Sequence, residues 1–167
     1  MLTDVKKITE YLKKLGVTEG FTIRTDERDI GIVDTSANTG ITYTEPLQVQ
    51  FGRIGGHFSV TGEEKSSSVP VLSFKGFPHT VTGCFSLYGS DFRNMAGIEH
   101  ELKYVGDDIV LNHDSTNILG LLTVGGEGKF DIDRGPVDKI MNKYREHGDS
   151  ISAQDELLDA GLKAQAS

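Results

Sequence analysis

Along residues 3–15, apolar side chains fall at Val5, Ile8, Leu12 and Leu15, three or four apart, with Lys6, Lys7, Lys13 and Lys14 between them. That spacing predicts an amphipathic helix, started by Thr3 or Asp4 as N-cap and stopped by Gly16. From 20 to 133 the period changes. Short alternations ("FTI", "IGIV", "LQVQF", "HFSV", "CFSL", "DIVL", "KFDI") are separated by turn residues at regular intervals, which predicts repeated short strands. Helical spacing returns after Asp133. Pro136 suits a first turn, and Val137, Ile140, Met141 and Tyr144 line one face as far as "HGD" at 147–149. A last helix is expected from Ser152, whose spacing to Asp155 is that of a capping box with Asp in the acidic position. It carries Leu157, Leu158 and Leu162 and is expected to fray after Gly161.

Within the strand region one phrase recurs. "GRIGGHFSVTG" at 52–62 returns as "TVTGCFSLYGS" at 80–90 and, more weakly, as "YVGDDIVLNH" at 104–113. Superposition aligns Ile54 with Val81 and Val105, Phe58 with Phe85 and Ile109, and Val60 with Leu87 and Leu111. A further strand at 128–133 adds Phe130 and Ile132 to the same two columns. A linking phrase also repeats around Gly76, Gly97 and Gly120, at separations of 21 and 23 residues. Self-similarity at that period is the signature of solenoids of the leucine-rich-repeat type. A strand with two inward apolar side chains cannot bury them alone, so each coil must stack on the next. The expected fold is α+β: a single domain over 1–167, in which a short β-solenoid at 20–133 is capped by a helix at 1–16 and by two helices at 136–165. The caps are needed because the ends of a stack expose both core and sheet edge.

The repeat also carries a resemblance. Phe74, Gly76, Pro78, Val81, Gly83, Phe85 and Leu87 follow the pattern L-x-G-x-P-x-x-V-x-G-x-F-x-C/L. In this the chain resembles the degenerate leucine-rich-repeat-like solenoid proteins of large tailed phages, over roughly residues 20–165. The helical ending "IMNKYREHGDSISAQDELLDAGL" is similar to the tails of those proteins. The third repeat departs from the pattern with Asp107 and Glu99, and the first carries an insertion at 63–70. The resemblance implies a solenoid scaffold and a phage origin, and it brings no catalytic residues with it.

Composition narrows the rest. The chain has 167 residues, long enough for one domain with a core, and its 20 glycines favour turns over a helical bundle. The longest apolar run, 118–124, is far shorter than the roughly 20 residues of a membrane span. Asp4 and Glu10 interrupt any signal-peptide pattern, so a cytoplasmic location is expected, in the host cell if the protein is phage-encoded. One cysteine, Cys84, excludes an internal disulfide. A net charge of -8 disfavours direct binding to phosphate backbones.

Strand alternation turns the residues between the inward columns outward. Three outward columns are expected: His57, Cys84, Asp108 and Lys129; Ser59, Ser86, Val110 and Asp131; and Thr61, Tyr88, Asn112 and Asp133. The first sets a thiol beside an imidazole, the arrangement that activates cysteine nucleophiles. A catalytic triad, however, needs the His between the Cys and the carboxylate, whereas here the Cys stands in the middle. The histidines at 57, 79, 100, 113 and 147 lack helical zinc-site spacing, and "DIDRG" at 131–135 lacks the ligands of an EF-hand. His113 with Asp114 reads as a polar turn rather than a metal site, and "TVGGEG" at 123–128 as a turn between coils. No metal or cofactor is expected. The leading expectation is a non-enzymatic protein–protein interaction module that binds or inhibits a host bacterial protein. Its contact residues would be His57, Ser59, Cys84, Ser86, Tyr88, Phe92, Arg93, Asp108 and Asn112, with Tyr104 also outside. The alternatives are a structural or self-assembling virion component and, third, a cysteine-dependent enzyme.

Overall fold

The computed structural model of the chain describes residues 1–28, 30–63 and 70–167. Most of the insertion expected at 63–70 therefore lies outside the described residues. Helix α1 (Val5–Leu15) is capped by Asp4, whose carboxylate accepts the Lys7 N–H at 3.0 Å, and it stops where Gly16 turns left-handed at φ 94°. It buries Ile8, Tyr11 and Leu12 against the first coil, and the Tyr11 hydroxyl accepts the Gln48 N–H at 3.2 Å. Among the described residues ten strands follow: β1 (Phe21–Thr25), β2 (Gly31–Thr35), β3 (Thr39–Tyr43), β4 (Gln50–Ile54), β5 (Phe58–Gly62), β6 (Thr80–Val81), β7 (Phe85–Ser86), β8 (Tyr104–Val105), β9 (Ile109–Val110) and β10 (Phe130–Asp131). They wind a β-solenoid of about four turns.

Each coil uses two strands, and so there are two sheets where the sequence suggested one. Sheet A runs β1-β2-β4-β6-β8 and sheet B runs β10-β9-β7-β5-β3. All neighbours pair in parallel except β1, which folds back antiparallel on β2. The second sheet is hard to see in sequence because only three residues (55–57, 82–84 and 106–108) separate the two strands of a coil, so the repeated phrase reads as one strand. The repeat alignment nevertheless has the right register: Ile54, Val81 and Val105 are neighbours in sheet A, and Phe58, Phe85, Ile109 and Phe130 in sheet B. All seven are buried. Within the expected 20–133 the stack begins one coil before the first aligned phrase at 52–62, because β3 pairs Ile41 with Val60.

The return segments supply the rest of the interior. Phe77, Ile98 and Leu121, each following one of the repeated glycines, are fully buried. Rings of Phe58 and Phe85 stack at 5.9 Å, and Phe92 packs on Tyr43 and Phe74, both at 5.0 Å. At the corners between the sheets, successive coils touch backbone to backbone. A Cβ on Gly106 would lie 2.3 Å from the Thr82 carbonyl oxygen, and one on Gly128 would lie 2.2 Å from the Asp107 carbonyl carbon. Only glycine fits such an approach.

Helix α2 (Pro136–Arg145) closes the C-terminal end by hydrogen bonding in place of a further coil. Inward residues of sheet B donate to the following coil, as Phe85 does to Asp108 and Ile109 to Lys129. Phe130 has no following coil, and its N–H goes instead to Asn142 Oδ1 at 2.6 Å, while Asn142 Nδ2 donates to the Phe130 carbonyl at 3.1 Å. Asp138 accepts the N–H groups of Ile132, Asp133 and Arg134 at 2.7–3.1 Å. The buried Arg145 donates to the carbonyls of Val105 and Asp107 and lies over the Phe130 ring at 5.2 Å. Burial pulls its pKa downward from the ordinary arginine value.

Helix α3 (Ser150–Asp159) starts two residues before the expected Ser152, because Asp149 is the cap and accepts the Ser152 N–H at 3.0 Å. Those hydrogen bonds hold the Asp149 carboxyl below the usual carboxylate range. The tail does not fray as expected. Ala164 and Gln165 accept from Asn117 and Ile118 at 2.9 and 3.3 Å, and Ala166 is buried. Among the described residues no helix is long and apolar enough to cross a membrane.

Two stability measurements test this arrangement. Phe85→Ala should lower unfolding free energy by about 3–5 kcal/mol, through lost burial plus a cavity, whereas Ser86→Ala on the outer face should cost under about 0.5 kcal/mol. Asn142→Leu should cost about 1–3 kcal/mol, because it orphans a buried amide and carbonyl while keeping side-chain volume. Urea unfolding of the three variants reads both.

Candidate binding face

The first outward column is a ladder of side-chain-to-backbone hydrogen bonds. His57, Cys84, Asp108 and Lys129 stand at the corners of successive coils, and their polar atoms stitch one corner to the next. Asn38 Oδ1 accepts the His57 N–H at 2.9 Å, His57 Nδ1 accepts the Cys84 N–H at 2.8 Å, and Asp108 Oδ1 accepts the Lys129 N–H at 2.8 Å. The imidazole nitrogen facing Cys84 is thus engaged with its backbone and not with its thiol. The bond also fixes the tautomer, since Nδ1 must be unprotonated to accept. The ladder skips one rung: the half-buried Cys84, a weak acceptor, receives no bond from the Asp108 N–H. Sequence reasoning missed Asn38, which occupies the same column one coil earlier.

Two expected contact residues are interior. Phe92 is 2 % exposed in the aromatic cluster, because the chain turns inward at Ser90, whose hydroxyl accepts the Phe92 N–H. Asn112 is 5 % exposed. The coil leaves sheet B after Val110, so Asn112 falls beyond the alternation, and its side chain ties down the turn of the preceding coil. Its Oδ1 accepts the Gly89 N–H at 3.0 Å, and its Nδ2 reaches the carbonyls of Leu87, Ser90 and Phe92. Arg93 lies in a return segment, away from the sheet strands, and forms a 2.6 Å ion pair with Asp114 of the next coil. Desolvation alone would raise the Asp114 carboxyl; the Arg93 hydrogen bond, a backbone hydrogen bond and the charges of Arg93 and His113 together outweigh it and hold the group below its ordinary range.

The remaining expected residues do form a surface. Ser59, Ser86 and Val110 are half-buried along the outer face of sheet B, and Asp131 is exposed at its end. Tyr88, 67 % exposed, stands beside them. At the C-terminal end of this face Tyr88, Val110, His113, Asp131, Asp133 and Arg134 line an open cleft of about 580 Å³. Asp133 is only half available, since its carboxylate accepts the N–H groups of Gly135, Val137 and Asp138 at the start of α2. Arg134 adopts a left-handed conformation at φ 55°. His113 and Arg134 were outside the predicted contact set; both follow a strand end, where the alternation that exposed the others no longer applies. Tyr104, 42 % exposed, belongs to sheet A, a different face.

No group of three or more His, Cys, Asp or Glu side chains among the described residues is placed to hold a metal ion. Comparison with family models, with curated proteins and with solved structures returned no match. The arrangement suits contact with another molecule: a flat strip of short side chains, one large aromatic at its side, and a cleft offering an imidazole, a carboxylate and a guanidinium.

Completing the ladder gives a direct check of the corner. Cys84→Asn supplies the missing acceptor for the Asp108 N–H, and stability should rise by about 0.5–1.5 kcal/mol in urea unfolding. A loss of stability would show that the corner is already filled.

Proposed function

We propose that the protein is a non-enzymatic interaction module that grips a protein partner through the outer face of sheet B. The observation that carries this reading is Tyr88, a large aromatic held in solvent beside a rigid parallel sheet and at the mouth of a cleft. Tyrosine offers wide apolar contact and a polar tip at low entropic cost, which is why such side chains dominate binding hot spots. The stacked core beneath keeps the strip from rearranging, so little ordering cost falls on association. The likeness of the repeat to leucine-rich-repeat-like phage solenoids supports a host bacterial protein as the partner, bound or inhibited in the host cytoplasm. The engagement of His57 Nδ1 with the Cys84 N–H, in place of its thiol, weighs against the cysteine-enzyme alternative. The side-chain closure of the last coil by α2 argues against end-to-end stacking into a virion component at that end.

The test is capture from bacterial lysate by the tagged protein, followed by titration of the recovered partner in a calorimeter. Tyr88→Ala should weaken affinity roughly tenfold or more, whereas Tyr104→Ala on sheet A should leave it unchanged. Equal affinity of wild type and Tyr88→Ala would overturn the assignment of this face.

A further inference from the structure

We infer that the open edge of β3 accepts a basic, extended peptide segment of a partner protein as an added strand of sheet B. This site lies at the opposite end of the sheet from the Tyr88 cleft and does not depend on it.

Sheet B has two edges that are treated differently. At β10 the side chains of Asn142 and Asp138 occupy the backbone groups that a further strand would use. At β3 nothing among the described residues does so. Thr39 donates toward β5 through the His57 carbonyl, and alternation then turns Ile41 and Tyr43 the same way. Gly40 and Thr42 therefore point their N–H and C=O groups away from the sheet, and neither has a hydrogen-bond partner among the described residues. Both residues are exposed. A five-residue edge with free backbone groups is a template for strand addition, a mode in which main-chain bonds supply affinity.

The edge also has a seat beside it. Gly16, Thr18, Glu19 and Gly20 face Asn38 and Gly40 across a cleft of about 500 Å³. Its walls are largely glycine and short side chains, which admit a backbone closely. Charge selects the occupant. Glu19 is the one charged side chain lining the cleft, and it has no ion-pair partner among the described residues. Glu45, two residues past β3, is exposed; it meets the exposed Lys14 at 3.8 Å and accepts from Gln48 Nε2 at 3.5 Å, contacts weak enough for an incoming cation to share. The chain as a whole carries -8. A second copy of the chain would bring like charge to like, whereas a lysine- or arginine-bearing segment meets complementary charge.

The probe is a synthetic Lys-Val-Lys-Val-Lys-Val peptide, with Glu-Val-Glu-Val-Glu-Val as its counterpart, titrated into the full chain and read by amide NMR and hydrogen exchange. In the free protein the Gly40 and Thr42 amides should exchange fast while those of Ile41 and Tyr43 are protected. The basic peptide should shift Gly40 and Thr42 and slow their exchange by roughly tenfold or more, and the acidic one should do neither. Thr42→Pro removes one donor at a position whose N–H faces solvent, which an edge strand tolerates, and should abolish peptide binding with the melting temperature preserved. Should that variant fail to fold, the wild-type exchange data decide alone. Tyr88→Ala should bind the peptide as wild type does, so failure at either face is separately visible. Shifts confined to other residues, no binding of the basic peptide, or a free protein already dimeric with Gly40 and Thr42 protected would each overturn the inference.

Discussion

The structure depends on one constraint: a coil cannot bury its apolar residues or pair its strands without a neighbouring coil. Phe58, Phe85, Ile109 and Phe130 bury nothing in isolation, and the short strands that hold them contain as few as two residues. Burial and backbone pairing therefore arrive together when the coils stack. The glycine corners follow from the same demand. Stacking at strand-to-strand distance leaves no volume for a Cβ at Gly106 or Gly128, so the chain's glycine content reflects contact between coils as well as turn geometry.

What happens at the two ends is the other half of that constraint. The N-terminal end is covered over the core by α1 and over sheet A by β1, which reverses direction and so terminates the parallel ladder. The C-terminal end is closed by single side chains. Asn142 presents an amide to Phe130 as a neighbouring peptide unit would, and Arg145 delivers its N–H groups to the carbonyls of Val105 and Asp107. Helices α2 and α3 are then locked together where Glu156 accepts from Lys143 and from the Tyr144 hydroxyl, bonds that hold its carboxyl below the ordinary range.

Much of this was legible in the sequence where side chains of one chemical type recur. The register of Ile54 with Val81 and Val105, and of Phe58 with Phe85, could be read from the repeat because an inward position tolerates only apolar residues. Both end helices could be read from their spacing, and Gly16 and Pro136 from their backbone preferences. What could not be read were interactions made by polar side chains with backbone. Asn112 looks like a surface residue, yet it organises a buried turn; Phe92 looks free, yet the turn at Ser90 carries it inside. The column of His57, Cys84 and Asp108 suggested chemistry because those residue types do chemistry elsewhere. Which atoms their side chains meet, and hence that they form a ladder, is a matter of corner geometry that no spacing encodes. The second sheet was hidden for a related reason: three-residue corners join the two strands of a coil so closely that they read as one.

The closure by α2 has a consequence for how such a protein can change over generations. Asn142, Asp138 and Arg145 recognise main-chain groups, and every coil presents those groups in the same way whatever its side chains are. A duplicated or deleted coil would leave the cap facing an equivalent partner. Length is thus decoupled from termination, and the number of coils is free to drift in whole units while the lid remains unchanged.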